Sequence, residues 1–330
     1  MQKKTIALVT GGYSGESVIS YKSAQTIQSN LDPNRWDVYL IDIHPGGWEF
    51  VATDGSRTPV DKNDFSIVSN GNKVCFDAVF IGMHGTPGED GKLQGYFDCL
   101  GIPYTSCNAA TSGITFNKRY TVAIAAFDGI PVARSMHLIQ GHPVTVEDIV
   151  SNLRLPLFVK PNNGGSSLGI SKVKEVDELQ SAIDKAFAVD REVLVEECIS
   201  GREFTIGVYR ANGEIMTLPI TEIISQNEFF DYEAKYLGAS QEVTPAALGD
   251  VESEQIRAMA KKAYRTFNAS GVVRIDFIYE PTEQKPYLLE INTVPGQSEA
   301  SIIPQQVRAA GFDLTTFYSN LLDTCLAKTN

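Results

Sequence analysis

The chain begins with an apolar run. Residues 5–10 (Thr-Ile-Ala-Leu-Val-Thr) read as a strand covered on both faces. Gly11, Gly12 and Gly15 then break the run with a tight loop, and apolar positions recur at helical spacing over 17–31. Strand-like runs at 36–43, 77–83 and 102–105 alternate with a short helix at 92–100. This β-α-β rhythm predicts an open parallel sheet, with its ligand edge at the C-terminal ends of the strands. Helical spacing over 115–127 stops at Asp128-Gly129. Strands at 132–139, 157–160, 169–173 and 193–197, interrupted by helices at 146–153 and 176–187, suggest a compact α+β unit. Longer strands follow at 203–209, 215–224, 272–279 and 286–292. A helix at 253–268 precedes the last pair, and helices at 302–310 and 314–325 come after it. Glu280-Pro-Thr-Glu-Gln-Lys285 joins that pair as an antiparallel hairpin. At 330 residues the chain exceeds the usual limit of a single core, so two or three domains are expected.

Composition adds mainly exclusions. Apolar residues make up 43% and charged residues 21%, ordinary globular usage with ample material for buried cores. The net charge of −12 sets the surface against nucleic acid and anionic lipid, so neither is an expected partner. A phosphate ligand would need a local cluster of Lys, Arg and backbone N–H groups. The five cysteines are odd in number and form no C-x-x-C, which points to a reducing cytoplasm rather than a disulfide framework or zinc site. The first apolar run is too short for a signal peptide, and none approaches the roughly 18 residues of a membrane span.

Three segments carry chemistry. In Arg274-Ile-Asp276-Phe and Leu289-Glu290-Ile-Asn292, polar residues alternate with apolar ones, so each pair shares one strand face. Hairpin pairing would bring Asp276, Glu290 and Asn292 together as hard oxygen ligands suited to Mg²⁺, with Arg274 beside them to neutralise phosphate charge. A second segment, Leu157-Phe-Val-Lys160-Pro161, ends a strand and leads into Asn162-Asn-Gly-Gly-Ser-Ser-Leu-Gly169. The backbone N–H groups of this loop could converge on an anion, although the spacing is not Walker A and a plain hairpin is the alternative. The third, Val193-Leu-Val-Glu196-Glu197-Cys-Ile199 followed by Arg202-Glu203, ends a strand with acids able to accept hydrogen bonds from adenine and ribose. Near the N-terminus, Gly11-Gly-Tyr-Ser-Gly-Glu16 lacks the G-x-G-x-x-G spacing of a dinucleotide site. It places Glu16 at the sheet edge, either to hold an ammonium or as a first-turn helix acid. His84 follows an apolar strand directly and is open to both a structural and a substrate-binding reading.

In order along the chain, these segments resemble the D-alanine–D-alanine ligase branch of the ATP-grasp ligases. The resemblance also takes in Met83-His-Gly, Gly88-Glu-Asp-Gly-Lys-Leu-Gln-Gly95, Gly101-Ile-Pro-Tyr-Thr105, Asp231-Tyr-Glu-Ala-Lys-Tyr236 and Glu290-Ile-Asn-Thr-Val-Pro-Gly296. It implies an α/β fold of three domains: an N-terminal open parallel α/β sheet (1–113), then two α+β subdomains enclosing ATP (114–200 and 201–330), with a mobile loop at 225–243. The implied reaction is ATP-dependent ligation of two D-alanines through an acyl phosphate, for peptidoglycan precursors; D-serine or D-lactate is the alternative acceptor. Glu16 would bind the first ammonium and Ser166 and Tyr236 would complete a link closing the site, with His84 also at the substrate. Lys118, Lys160, Ser166 and Lys235 would meet the ATP phosphates, Glu196, Glu197 and Ile199 the adenine, and Glu203 the ribose. Asp276, Glu290 and Asn292 would bind two Mg²⁺ ions, with Mn²⁺ as an alternative. Arg274 and the Gly296 backbone would stabilise the oxyanion, and Ser301 with Ile302 would hold the second carboxylate at a helix start. A cytoplasmic homodimer is the implied state. The chain departs from the family pattern at Gln297-Ser-Glu-Ala300, where a Met-Thr-containing stretch is usual.

Overall fold

A computed structural model gives the fold, describing residues 3–142, 144–165, 168–225 and 240–327. The first sheet contains β1 (Lys4–Gly11), β2 (Trp36–His44), β3 (Gly47–Val51), β4 (Arg57–Pro59) and, beyond the small hairpin of β5 (Ile67–Ser69) and β6 (Asn72–Val74), β7 (Ala78–Ile81). Its order is β4-β3-β2-β1-β7. β1 is parallel to β2 and β7, and Ile6 to Val9 are fully buried, as a central strand covered on both faces requires. The sheet is not parallel throughout, because the chain reverses at Pro45-Gly46 and adds β3 and β4 antiparallel to β2. Nor does 102–105 form a fourth strand; it contributes a single bridge, Val79 to Tyr104. Pro103 accepts from the Val79 N–H but has no N–H to extend a ladder.

β1 ends on Gly11 and Gly12, both at positive φ, before α1 (Ser17–Asn30). A Cβ on Gly11 would come 2.4 Å from the Ile43 carbonyl oxygen, so the tight passage from sheet edge to helix needs glycine. After α2 (Lys92–Leu100), the helix expected over 115–127 is two: α3 (Ala109–Phe116) and α4 (Lys118–Phe127). Asn117 separates them with an extended backbone. Its side chain accepts from the Tyr120 N–H to cap α4, and its backbone bridges to Asn163.

The second sheet has order β10-β9-β11-β8, from β8 (Ser135–Ile139), β9 (Leu157–Pro161), β10 (Ser171–Val173) and β11 (Glu192–Glu197). α5 (Val146–Asn152) and α6 (Leu179–Phe187) supply core residues against it. The third sheet runs β15-β14-β12-β16-β17, with β13 also on β12. Its strands are β12 (Arg202–Ala211), β13 (Glu214–Thr217), β14 (Thr221–Ser225), β15 (Ser240–Val243), β16 (Val273–Glu280) and β17 (Lys285–Asn292). The single strand expected over 215–224 is split at Pro219, which has no N–H for the ladder. Phe204, Ile206, Ile275 and Phe277 bury one face of this sheet with α7 (Asp250–Thr266), leaving Thr205, Arg274 and Asp276 on the opposite face. α8 (Ile302–Ala309) and α9 (Leu314–Ala327) follow. Ile303, Phe317, Tyr318 and Leu322 join Ile6, Leu8 and Phe80 in one cluster, so the last helices cover a face of the first sheet. Among the described residues no helix is long and apolar enough to cross a membrane.

Candidate active site

Antiparallel register builds the polar face of the third sheet. Arg274 lies opposite Asn292, Asp276 opposite Glu290 and Thr205 opposite Asp276. Directly opposed residues share a face, so these side chains converge. A bulge after Asp276 places Phe277 opposite Leu288, leaving Leu289 as the extra residue. Arg274 makes a bidentate pair with Asp276 at 2.9 and 2.8 Å and stands 3.7 Å from Glu290. Although burial works against its charge, Asp276, Glu290 and Glu89 hold the guanidinium firmly protonated. Asn292 Nδ2 donates to Asp276 at 3.1 Å and to Glu290 at 3.3 Å. Two carboxylates and a carboxamide form an all-oxygen donor set that fits a hard divalent cation.

A cavity of about 450 Å³ opens beside this cluster, lined by Arg274, Glu290 and Asn292 together with Glu16, His84, Glu89, Lys118, Gly296, Ser301 and Ile302. Residues from all three sheet regions therefore meet at one cavity. A neighbouring cavity of about 700 Å³ shares Glu16, Lys118, Gly165 and Glu290 with it. Glu16 packs closely on Gly165, where a Cβ would lie 2.6 Å from its carboxylate. Lys118 donates to the Gly164 carbonyl at 2.7 Å, tying the start of α4 to the glycine-rich loop.

His84 has both ring nitrogens engaged, with Ser23 Oγ at 2.9 Å and the Val294 carbonyl at 2.8 Å. Burial pushes its pKa down to about 4, so the ring is neutral. Glu89, in the Gly88–Gly95 motif, accepts from the Gly85 N–H at 2.7 Å. Burial and the nearby Glu16 charge push its carboxyl up. The motif's acid-rich composition was its only sequence signal. Gln306 gave none, because it looks like an ordinary polar helix residue. It is fully buried, accepts from the Gly207 N–H at 2.9 Å and donates to the Thr205 carbonyl at 3.0 Å, fixing α8 on the sheet. Ser301 precedes α8, and its hydroxyl pairs with Ser298 at 2.7 Å instead of capping the helix.

Lys160, Glu196, Glu197, Ile199 and Glu203 line neither cavity. Lys160 and Glu196 form a close ion pair across β9 and β11. Glu197, on the opposite face of its strand, is committed to Arg154 at 3.0 Å; burial opposes its charge, yet the Arg154 bonds hold its carboxyl below the usual range. Glu203 lies on β12, on the same face as Thr205. Ser166, Lys235, Tyr236 and most of the loop at 225–243 lie outside the described residues.

Residues 5–107 match the family description "D-ala D-ala ligase N-terminus" and residues 123–323 match "D-ala D-ala ligase C-terminus". The chain belongs to the D-alanine–D-alanine ligase family. This is a family of ATP-dependent ligases, and the three sheets correspond to its ATP-grasp architecture. The D-alanine–D-alanine ligase of Phocaeicola vulgatus is 47% identical over 97% of this chain and 99% of its own. That of Flavobacterium johnsoniae is 44% identical over 98% and 100%. Among solved structures, the VanG D-Ala:D-Ser ligase from Enterococcus faecalis superposes with a TM-score of 0.89 at 30% identity, covering 98% of this chain and 99% of that one. The D-alanine–D-alanine ligase from Bacillus anthracis complexed with ATP gives 0.79 at 27% identity, covering 99% and 98%.

Proposed function

We propose that this chain joins two D-alanine molecules at the expense of ATP, for peptidoglycan precursors. The observation that carries the reading is the convergence of Glu16, Lys118, Arg274, Glu290 and Ser301 on one cavity, in a chain 47% identical to a D-alanine–D-alanine ligase. In this reading Glu16 orients the first D-alanine by its ammonium. The carboxylate oxygen of that D-alanine attacks the γ-phosphorus of ATP and ADP leaves, giving the acyl phosphate of D-alanine. The amine of the second D-alanine then attacks the carbonyl carbon, phosphate departs with the C–O bond's electron pair, and the amine loses a proton. Lys118 and Lys160 hold the phosphates, while Arg274 and the Gly296 N–H meet negative charge as it develops. Glu196, Glu197 and Ile199 receive the adenine, and Glu203 the ribose. Ser301 and the Ile302 N–H hold the second carboxylate at the start of α8. Asp276, Glu290 and Asn292 would hold two Mg²⁺, with Mn²⁺ as substitute; when bound they neutralise charge on the transferring phosphoryl group.

Ser166, Lys235 and Tyr236 are assigned to closing the site, which must exclude water from the acyl phosphate. The labour divides over 1–113, 114–200 and 201–330, in a cytoplasmic homodimer. Phosphate release with ATP, Mg²⁺ and D-alanine tests the reading, followed by mass analysis of the product. Dipeptide is expected with D-alanine, and EDTA should abolish it. Greater turnover with D-serine or D-lactate as acceptor would overturn the substrate choice, and no phosphate release at all would overturn the ligase reading.

A further inference from the structure

The loop at 294–301 carries Gly296 and Ser301, and its placement depends on side chains distant in sequence. The Gln297 backbone N–H donates to Ser23 Oγ at 3.0 Å. A carbonyl oxygen only accepts, so the His84 nitrogen facing Val294 bears the ring proton and Nε2 is the acceptor. The Ser23 hydroxyl therefore donates to His84 at 2.9 Å. A one-way chain runs from the Gln297 N–H through Ser23 and His84 to the Val294 carbonyl, gripping the loop on both sides of Gly296. The Gln297 side chain adds a second grip. Its Nε2 donates to the Pro295 carbonyl at 3.2 Å, which turns Oε1 toward the Tyr318 hydroxyl on α9, also at 3.2 Å. Ser23 and Tyr318 are fully buried, and Gln297 is 4% exposed. Buried polar groups so satisfied define a single loop position.

Gly296 packs closely on Ser301: a Cβ there would lie 2.8 Å from Ser301 Oγ. Ser23 lies seven residues beyond Glu16, about two helical turns along α1. One helix thus holds the carboxylate assigned to the first substrate and the loop assigned to the second. Resting on the ligase reading above, we propose that Ser23, Gln297 and Tyr318 are positioning residues that set the acceptor loop at its working distance from α1.

The test separates acceptor attack from phosphoryl transfer. Oxygen-18 exchange from the β,γ-bridge of ATP, measured with D-alanine at donor-saturating concentration, reads phosphoryl transfer alone, and dipeptide formation reads both steps. In Ser23→Ala and Gln297→Met, acceptor kcat/KM should fall more than about tenfold, in keeping with the sensitivity of attack geometry to small displacements, while exchange stays within about threefold of the parent. Tyr318→Phe removes one hydroxyl and should shift the acceptor KM in the same direction; it carries the test if the other variants fail to fold. A parallel fall in exchange and ligation, or no change in either, would overturn the proposal. A parent enzyme that shows neither exchange nor dipeptide would overturn the ligase reading instead.

Discussion

At the residue scale, His84 shows how one buried side chain couples structure to pH. Its folded-state pKa is depressed to about 4 from an ordinary value of 6.5, chiefly by burial. Between those values the unfolded chain takes up a proton that the folded chain refuses, so stability present above pH 6.5 is lost as pH falls toward 4. By pH 5 this amounts to about 2 kcal/mol. Urea denaturation at pH 7.5 and pH 5 should show a smaller loss in His84→Gln than in the parent, although the variant starts less stable. An equal loss in both would mean that His84 does not stay neutral. Lys160 poses a different problem at this scale. It was legible as the end of an apolar strand before a glycine-rich loop, but its partner Glu196 was not. Cross-strand partners depend on the pairing of β9 with β11, which the sequence around either residue does not specify.

At the element scale, the hairpin of β16 and β17 was the most legible part of the site. Alternation alone put Arg274 and Asp276 on one face of their strand and Glu290 and Asn292 on one face of theirs, and pairing merged the two into a single face. The bulge at Leu289 was invisible in the pattern. The breaks at Asn117 and Pro219 were legible in principle, since one residue type caps helices and the other cannot donate to a ladder. The short strands β3 to β6 lack enough alternation to declare themselves. Hardest of all was the seat of α8, where Gly207 faces Leu218, Ile303 and Gln306, residues 11 to 99 positions away. A Cβ on Gly207 would come within 2.6 to 2.9 Å of all three. Gly207→Ala should therefore cost about 1–3 kcal/mol through overpacking and displace the start of α8, weakening the acceptor. Thermal unfolding and the acceptor KM check this together; unchanged values would show that α8 yields without consequence.

At the scale of the whole molecule, apolar packing rather than surface charge joins the first sheet to the C-terminal helices. Arg35 pairs with Asp323 at 2.6 Å, but both side chains are nearly half exposed, so water and salt screen the pair. Leu322, the residue before Asp323, is fully buried in the shared cluster. Asp323→Asn should change unfolding free energy by less than about 1 kcal/mol. Leu322→Ala should cost about 2–5 kcal/mol. Comparable losses in equilibrium urea unfolding would contradict this ranking. Net charge and composition excluded nucleic acid as an expected partner but said nothing of this docking, which joins apolar residues about three hundred positions apart.

The cluster under α9 also bears on how the protein is made. Ile6, Leu8 and Phe80 need residues from 314–327 as part of their cover, and these are translated more than two hundred positions after β7. At synthesis rates of about 5–20 residues per second, the first sheet waits on the order of ten seconds or longer with one apolar face incomplete. During that interval apolar surface that the finished fold covers stays open to water.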